Sequence, residues 1–427
     1  MAGNVSFSLT QATALFKINY YKRSENMYNS ANVTQGRVKK RFDFTGRSRV
    51  VATSLSFAGG VGSGTIPKAN VGNYQEATIL SKKVYAVVLI DRESIKASMD
   101  DKGAFVKSTR ESVQKTVESY NRNSSRILFS DGLGLLALGD ATGAAVTGLG
   151  TVGSPFIVEI PLKTGIQVGG WKEANWEEKD YVQVVTGATP VTGAGGVMEA
   201  DLLEIVAVDA TTRLVSLVGT SARLTALVGG VIPLATTDAI AMQGSYENDP
   251  EGLKSILDKT AGAIYGIAVQ RRWMATAEDA LGAGITVDLM NKVMLDVEKK
   301  FGKAPNLIVE SYVQFRKTLN LLEDQKQYTI DPRSKDLKGK VSFKGVEFMS
   351  SMGSVGVFPE RFVEDDRVYF LNDNHIEVHH RPDFGWFDDD GTVFLRTTGD
   401  EYEARYGGYY QNYIEPTAHG FLHSLAV

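Results

Sequence analysis

The sequence predicts an α+β chain organised around one long helix, and three observations carry that prediction. From Gly103 to Gly132, Phe105, Thr109, Val113, Val117, Tyr120, Ile127 and Leu128 recur at helical spacing with no proline among them. Before that stretch, RVVATSLSF and EATILSKKVYAVVLI are β-branched runs around a glycine-rich tip, AGGVGSGTIP. After it, residues 154–245 hold short β runs at nearly regular intervals, and helical and strand patterns then share the remainder of the chain.

The long helix is the most sharply marked element. Lys107, Arg110, Glu111, Gln114, Lys115, Glu118, Arg122 and Arg126 fill the rest of its circumference, and Ser130-Asp131-Gly132 supplies a turn with glycine just past the end. At about 1.5 Å per residue it would be roughly 40 Å long. It carries too many charges to span a membrane, and its seam is not a sustained heptad.

Composition narrows the function classes. The 427 residues are 43% hydrophobic and 22% charged, ample for two or three folding units. A formal net charge of -4 creates no global field toward nucleic acid. Cysteine is absent, which removes disulfides, thiolate metal sites and cysteine nucleophiles and suits a reducing compartment. MAGNVSFSLT lacks the basic and apolar regions of a secretory signal, and no run of about 18 apolar residues occurs.

In chain order, residues 1 to about 46 form an arm with a short helix at Thr10–Tyr21 and an excess of Lys17, Lys22, Arg23, Arg37, Lys39, Lys40 and Arg41 over Glu25 and Asp43. Such a basic arm could bind nucleic acid, but the aromatics Phe16, Tyr20, Tyr21, Tyr28, Phe42 and Phe44 among these charges better suit an arm that lies along a protein neighbour. The hairpin that follows is too long to be stable alone and must lie on its own domain or on another subunit, where the charged face of the neighbour's long helix is expected to receive it. Asp91–Ser98 is helical, and residues 132–150 are small and flexible. Within 154–245 the β runs are FIVEIPL, GIQVGG, DYVQVVTG, DLLEIVAVDA, RLVSLVGT, ALVGGVIPL and AIAMQG, a pattern of a small barrel or sandwich inserted into a host domain. Then come a short helix SILDK and a helix from Val287 capped by Thr286 and stopped by Gly302, with Leu289, Val293 and Val297 on one face. A strand APNLIVES, a helix SYVQFRKTLNLLED and a strand pair turning at Lys344-Gly345 follow. The end is β-rich: RVYFLND, HIEVHHRPDF and TVFLRTTGDEYEARYGGYYQNYIEP, then a short apolar segment AHGFLHSLAV.

No chemistry stands out. Gly148-Leu149-Gly150-Thr151-Val152-Gly153 matches a dinucleotide fingerprint, but Ser154-Pro155 and a strand follow where a helix is required. Neither Gly302-Lys303 nor Gly339-Lys340 belongs to a phosphate loop, and Ser63 and Ser354 lie in no nucleophile elbow. His375, Glu377 and His379 would share one strand face, the best metal candidate, though a solvated face explains them better. Asp388-Asp389-Asp390-Gly391 lacks the spaced ligands of a calcium loop. Arg271-Arg272-Trp273 fits a buried tryptophan better than a base-stacking site. Tyr402, Tyr406, Tyr409, Tyr410 and Tyr413 fit a sugar-binding stripe or packing against the long helix. The basic arm and the acidic stretch from Glu360 to Glu403 suggest docking between subunits.

The order of parts resembles the major capsid proteins of tailed bacteriophages, which have the Hong Kong 97-type shell fold. The resemblance rests on YAVVLIDRESI leading into the long helix, Asp131-Gly132 ending it, GKAPNLIVESYVQFRKTLNLL, GKVSFKGVEFMSS, and Glu415-Pro416-Thr417-Ala418 before FLHSL. It covers nearly the whole chain except 154–245. It implies an N-terminal arm (1–46), an extended hairpin loop (47–85), a peripheral domain with the long helix as its spine (86–131), an axial domain (132–153 and 246–385), an inserted β-barrel-like domain (154–245) and return strands of the peripheral domain (386–427). It also implies a structural subunit without catalytic, cofactor-binding or metal residues. Such a subunit self-assembles as pentamers and hexamers into an icosahedral virion head, in the host cytoplasm, around double-stranded DNA held without sequence-specific contacts and without a membrane. Expected partners are copies of itself, a scaffolding protein, a portal and a decoration protein. Because the arm begins almost at Met1, no fused N-terminal scaffolding segment is expected. Covalent cross-linking would draw on Lys68, Lys82 or Lys83, with no partner identifiable. Two other readings stay open: the shell of a cellular cargo nanocompartment with the same fold, and a carbohydrate-binding β protein built on 154–245 and the tyrosine-rich tail.

Overall fold

A computed structural model describes residues 33–56, 73–91, 102–140, 145–162, 166, 169–189, 192–228, 234–323, 346–350, 353–388, 395–396 and 401–427. The expected helices at Thr10–Tyr21 and Asp91–Ser98, the hairpin tip and the Lys344-Gly345 turn lie outside these residues, apart from Asp91. The chain divides into two compact units. One comprises Met1–Val50, Thr78–Leu128 and Glu377–Tyr413; the other comprises Val51–Ala77, Phe129–Ile376 and Ile414–Val427.

The first unit is a sheet carrying the long helix. That helix runs from Lys102 to Leu128, 27 residues, or about 40 Å. Of the expected stripe, Val113, Val117, Tyr120, Ile127 and Leu128 are buried, while the side chains of Phe105 and Thr109 fall outside the described residues. Just beyond the helix, Gly132 takes φ +77°, and Asp131 Oδ1 accepts the Leu133 N–H at 2.9 Å. Such a local side-chain bond and left-handed glycine end a helix.

The sheet is built around the return strand Glu401–Ile414. On one side it pairs antiparallel with Lys82–Asp91, in register from Tyr410↔Lys82 to Glu401↔Asp91. It also pairs with Ile376–His380, Gly385–Trp386 and Leu395–Arg396, and the arm strand Lys39–Phe42 joins Ile376–His380 in parallel. Tyr406 meets Tyr120 of the spine helix edge-on, with ring centroids 5.2 Å apart, and Phe384 and Trp386 close around the same ring. The expected cover of the spine by the late strands is therefore present. Gly407 faces the other way at φ +148°, and a Cβ there would come within 2.3 Å of the Val84 carbonyl. The two strands approach too closely at that point for any side chain.

Two expectations change here. EATILSKKVYAVVLI is two strands, because Ser81 turns its N–H onto the Arg47 carbonyl at 3.0 Å. The hairpin Ser48–Ser56 with Asn73–Leu80 therefore closes at Leu80, not at residue 85. The arm also docks on its own chain: besides the paired strand, Gln35 Nε2 donates to Ser124 Oγ and Ser125 Oγ donates to Gln35 Oε1, both at 2.7 Å.

In the second unit, a seven-stranded sheet follows the order 135–138, 238–242, 181–186, 203–209, 214–219, 156–159, with Val197–Met198 beside 181–186. Val158, Val182, Val184, Leu203, Ile205, Val215, Leu217 and Ile240 form its core. The segment read as flexible contributes the fully buried strand Leu135–Leu138, so the sheet starts there and not at residue 154. That strand pairs with Asp238–Met242, which sets the entry and exit of the segment side by side. Among the described residues the strand path ends at Leu135–Leu138 on one side and Phe156–Glu159 on the other. ALVGGVIPL is not a strand where it is described: Ala222–Leu227 is a helix whose N-cap Ser221 accepts the Leu224 N–H at 3.1 Å. Half of GIQVGG, Gly165, Gln167 and Val168, falls outside the described residues.

The same unit contains a mixed six-stranded sheet ordered 276–279, 420–423, 368–371, 307–310, 353–359, 346–350. The helix Val287–Phe301 begins at Thr286, whose hydroxyl accepts the Leu289 N–H, and ends at Gly302 with φ +88°. Its buried face is Met290, Val293, Met294 and Val297, so Leu289 sits at the edge rather than in the expected stripe. Gly420 lies under that helix; a Cβ would stand 2.7 Å from Val297 Cγ2. The apolar tail segment is thus a strand, Gly420–His423, parallel to Thr276–Asp279 and antiparallel to Val368–Leu371.

Candidate functional site

The features with functional potential are an exposed apolar surface on the first unit and an ionic cluster inside the second. On Lys82–Asp91 the residues alternate by face, as a pleated strand requires. Val88 is buried toward the spine helix side, whereas Tyr85, Val87 and Leu89 are 54%, 44% and 56% exposed. This row of three large apolar side chains lies beside Gly407 and half-buried Arg405 and Tyr409 of the return strand. Lys83 and Arg381 both approach the Tyr409 ring, at 5.9 and 4.9 Å. The hairpin shows the same character, with Val50, Tyr74 and Leu80 all more than half exposed. Burying such side chains is worth about 1.5–3 kcal/mol each, so their exposure marks an interaction surface. YAVVLI carried the signal in the sequence: an unbroken apolar run in a strand puts apolar groups on both faces.

The ionic cluster gathers around Glu364, in the acidic stretch read as a docking surface. Its Oε1 accepts from Lys254 Nζ at 2.6 Å and pairs with Lys172 Nζ at 3.2 Å; Arg367 Nε lies 3.7 Å from Oε2. The Arg367 guanidinium, with no exposed side-chain surface, also holds Asp258 through two bonds of 2.7 Å. Burial alone would raise the Glu364 carboxyl, but Lys172, Lys254 and Arg367 more than offset it and hold it well below the usual carboxylate range. Burial lowers the Lys172 ammonium. Carboxylates placed this way bind the interior together and are not available to a neighbour. FVEDDRVYF gave a hint, since charges wedged between large apolar residues must be buried with partners.

A second buried carboxyl, Glu310, accepts one bond from the Thr318 hydroxyl at 2.9 Å; burial pushes it up to about 7 while that bond pulls the other way.

The sequence candidates fall as follows. His375 precedes the strand in a short turn and pairs with Glu415 at 2.7 Å. His379 is 1% exposed and bonds Asp43, so the face is neither solvated nor a ligand set; among the described residues no group of side chains could hold a metal ion. Asp389 and Asp390 lie outside the described residues. Trp273 is fully buried and donates Nε1–H to the Ile264 carbonyl at 3.2 Å. Tyr406, Tyr410 and Tyr413 are buried, which removes them from any sugar-binding stripe. The Gly148–Gly153 stretch is a tight turn bridged Thr147↔Ile157 and Thr151↔Ser154, running into a strand with no helix to receive a pyrophosphate.

No protein-family model matches the chain, and no curated protein matches it in sequence. Solved structures do. The capsid asymmetric unit of cyanophage A-1(L) aligns over 95% of this chain and 93% of its own at 10% identity, with a TM-score of 0.50. The chain has the Hong Kong 97-type capsid fold. Weaker similarity extends to the capsid of an empty GTA particle, at 10% identity and TM-score 0.42 over 93% of this chain and 97% of that one. It extends also to the SrpI encapsulin from Synechococcus elongatus PCC 7942, at 8% identity and TM-score 0.41 over 93% and 89%.

Proposed function

We propose that this chain is the major capsid protein of a tailed bacteriophage: a non-enzymatic subunit that assembles as pentamers and hexamers into an icosahedral head around packaged double-stranded DNA. The observation that carries the reading is the exposed apolar row Tyr85, Val87 and Leu89 on a peripheral sheet of this fold, together with a hairpin bearing exposed Val50, Tyr74 and Leu80. An isolated subunit gains nothing from either surface, whereas a shell buries both. The hairpin reaches a neighbouring subunit, and its receiving surface is the apolar row rather than the charged side of the spine helix. On that side Gln114 and Glu118 already bond each other at 2.9 Å.

A separate scaffolding protein, a portal and a decoration protein are the further partners of this reading, with the virion as the final location and the host cytoplasm as the place of assembly. DNA is held by enclosure, since a net charge of -4 supplies no general phosphate-binding field. Among the described residues no helix is long and apolar enough to cross a membrane.

Deleting residues 56–68 should abolish shells while leaving a soluble, folded subunit, and so should Val87→Glu with Leu89→Lys. Normal particles from both variants would refute the docking. Purified wild-type particles containing nuclease-protected DNA support a phage head; particles loaded instead with one cellular protein would make the chain a cargo compartment.

A further inference from the structure

Two features of the second unit stand at opposite ends of one pair of strands. Thr276–Asp279 runs parallel to Gly420–His423, in register from Thr276↔Gly420 to Asp279↔His423. Before their first residues, the Thr417 hydroxyl donates to the Arg272 carbonyl at 2.7 Å. Beyond their last, the Gly282 N–H donates to the Ser424 carbonyl at 2.8 Å.

At the first end is a fixed basic turn. Trp273 is fully buried and donates its backbone N–H to the Gln270 carbonyl at 2.7 Å, which leaves Arg271 and Arg272 exposed. Among the described residues neither guanidinium has a carboxylate partner. Lys300 adds to the patch, donating to the Met274 and Ala275 carbonyls; burial, then the charge of Arg271, lowers its ammonium.

At the other end a cavity of about 350 Å³ opens between Trp171, Gly282, Asp365 and Leu425. Leu162 on its wall is 53% exposed, and Leu281, next to Gly282, is 87% exposed at φ 53°, a conformation that leucine rarely adopts. Of the acids lining it, Glu364 is taken up by Lys172, Lys254 and Arg367. Half-buried Asp365 pairs with no cation among the described residues. Burial pushes its carboxyl up, against a bond from Ser311, and the charge of Asp366 adds to the push. An apolar rim, an indole wall and one uncompensated carboxylate suit a guanidinium, which stacks on indole and pairs with carboxylate. The volume is at the lower end for cavities that hold small ligands and admits one such side chain.

We infer that the Arg271-Arg272 turn of one copy docks into the Asp365 cavity of the next. The two lie at opposite ends of the same strands, so they do not meet within one subunit. Each copy gives with one end and receives with the other, and a head-to-tail contact of this kind, repeated by rotation, closes a ring. The inference rests on the shell reading, which supplies the neighbours.

Disulfide trapping in the full-length protein tests it. The chain has no cysteine, so any disulfide joins introduced positions. Arg272→Cys combined with Asp365→Cys, concentrated and mildly oxidised, should give a ladder of dimers, trimers and longer multimers on a non-reducing gel, because each copy links onward at both ends. Either single variant stops at dimers. Arg271→Glu with Arg272→Glu, at exposed side chains, should weaken self-association about tenfold in sedimentation velocity, and Asp365→Asn about threefold. A combined variant that gives nothing beyond the dimers of the single ones, or association unchanged by the charge substitutions, overturns the docking. Closed particles formed in spite of either result refute this contact and leave the shell reading standing. A wild-type protein that stays single at every concentration refutes both.

Discussion

Replacing Glu364 by glutamine should be among the most damaging single changes in the second unit. The side chain is 10% exposed and is the shared anion of Lys254, Lys172 and Arg367, at 2.6, 3.2 and 3.7 Å. Glutamine keeps the volume and one acceptor but removes the charge, leaving Lys254 and Lys172 facing each other with side chains only 4% and 12% exposed. Unpairing a buried charge in this way costs about 3–5 kcal/mol. At roughly 2–4 °C per kcal/mol for a large domain, the melting midpoint should fall by about 6–20 °C. The pH response has a definite sign. The folded-state pKa is depressed, so its stabilisation is present above the ordinary value of 4.5 and is lost as the pH falls below it. Near-UV circular dichroism melts at pH 7 and pH 2 measure both effects. Asp383→Asn is the comparison, at a side chain 52% exposed, where about 0.5 kcal/mol or less is at stake. A Glu364→Gln midpoint within 1 °C of wild type at pH 7, or an unchanged gap between the two proteins at pH 2, would show that the cluster does not bind the interior as argued.

Other changes test other parts of the structure. Glu310 is raised to about 7 from 4.5 by burial, so its contribution is full below 4.5 and is lost as the pH rises through 7. Glu310→Gln should flatten that loss, about 3.5 kcal/mol at most from the 1.4 kcal/mol that each unit represents, and be the more stable protein in denaturant titrations at pH 8.5. Gly407→Val places a side chain at φ +148° and 2.3 Å from the Val84 carbonyl, so it should cost more than about 2 kcal/mol and lower the melting midpoint of the first unit. Ser125→Ala removes the hydroxyl that bonds Gln35 Oε1 at 2.7 Å, and should raise amide exchange of residues 34–38 with little effect on the global melt, at a cost of about 1 kcal/mol.

The sequence was legible wherever one physical period dominated. The spine helix, the Thr286–Gly302 capped helix and the strands at 181–186, 203–209, 214–219 and 368–371 all follow from periodicity and end signals. Leu135–Leu138 escaped because four buried residues among glycines look like a loop until Asp238–Met242 supplies the pairing, about a hundred residues later. On the helix 287–301 the expected Val293 and Val297 are buried, and Met290 and Met294 join them because they satisfy the spacing as well as Leu289 does. The surfaces that matter most were harder. Glu364 reads as part of a solvated acidic run, and only Lys172 and Lys254, each more than a hundred residues distant, turn it inward. His379 was marked as a ligand candidate beside His375 and Glu377, but its partner is Asp43, which no spacing rule connects to it. Long-range pairing of charges leaves no period in a sequence.

The central claim is that this chain builds a closed shell, and negative-stain electron microscopy of the purified, concentrated protein tests it most directly. The account predicts closed icosahedral particles of uniform size, or the pentameric and hexameric rings from which they are made. A field of single subunits or dimers only, unchanged with protein concentration and salt, would contradict it.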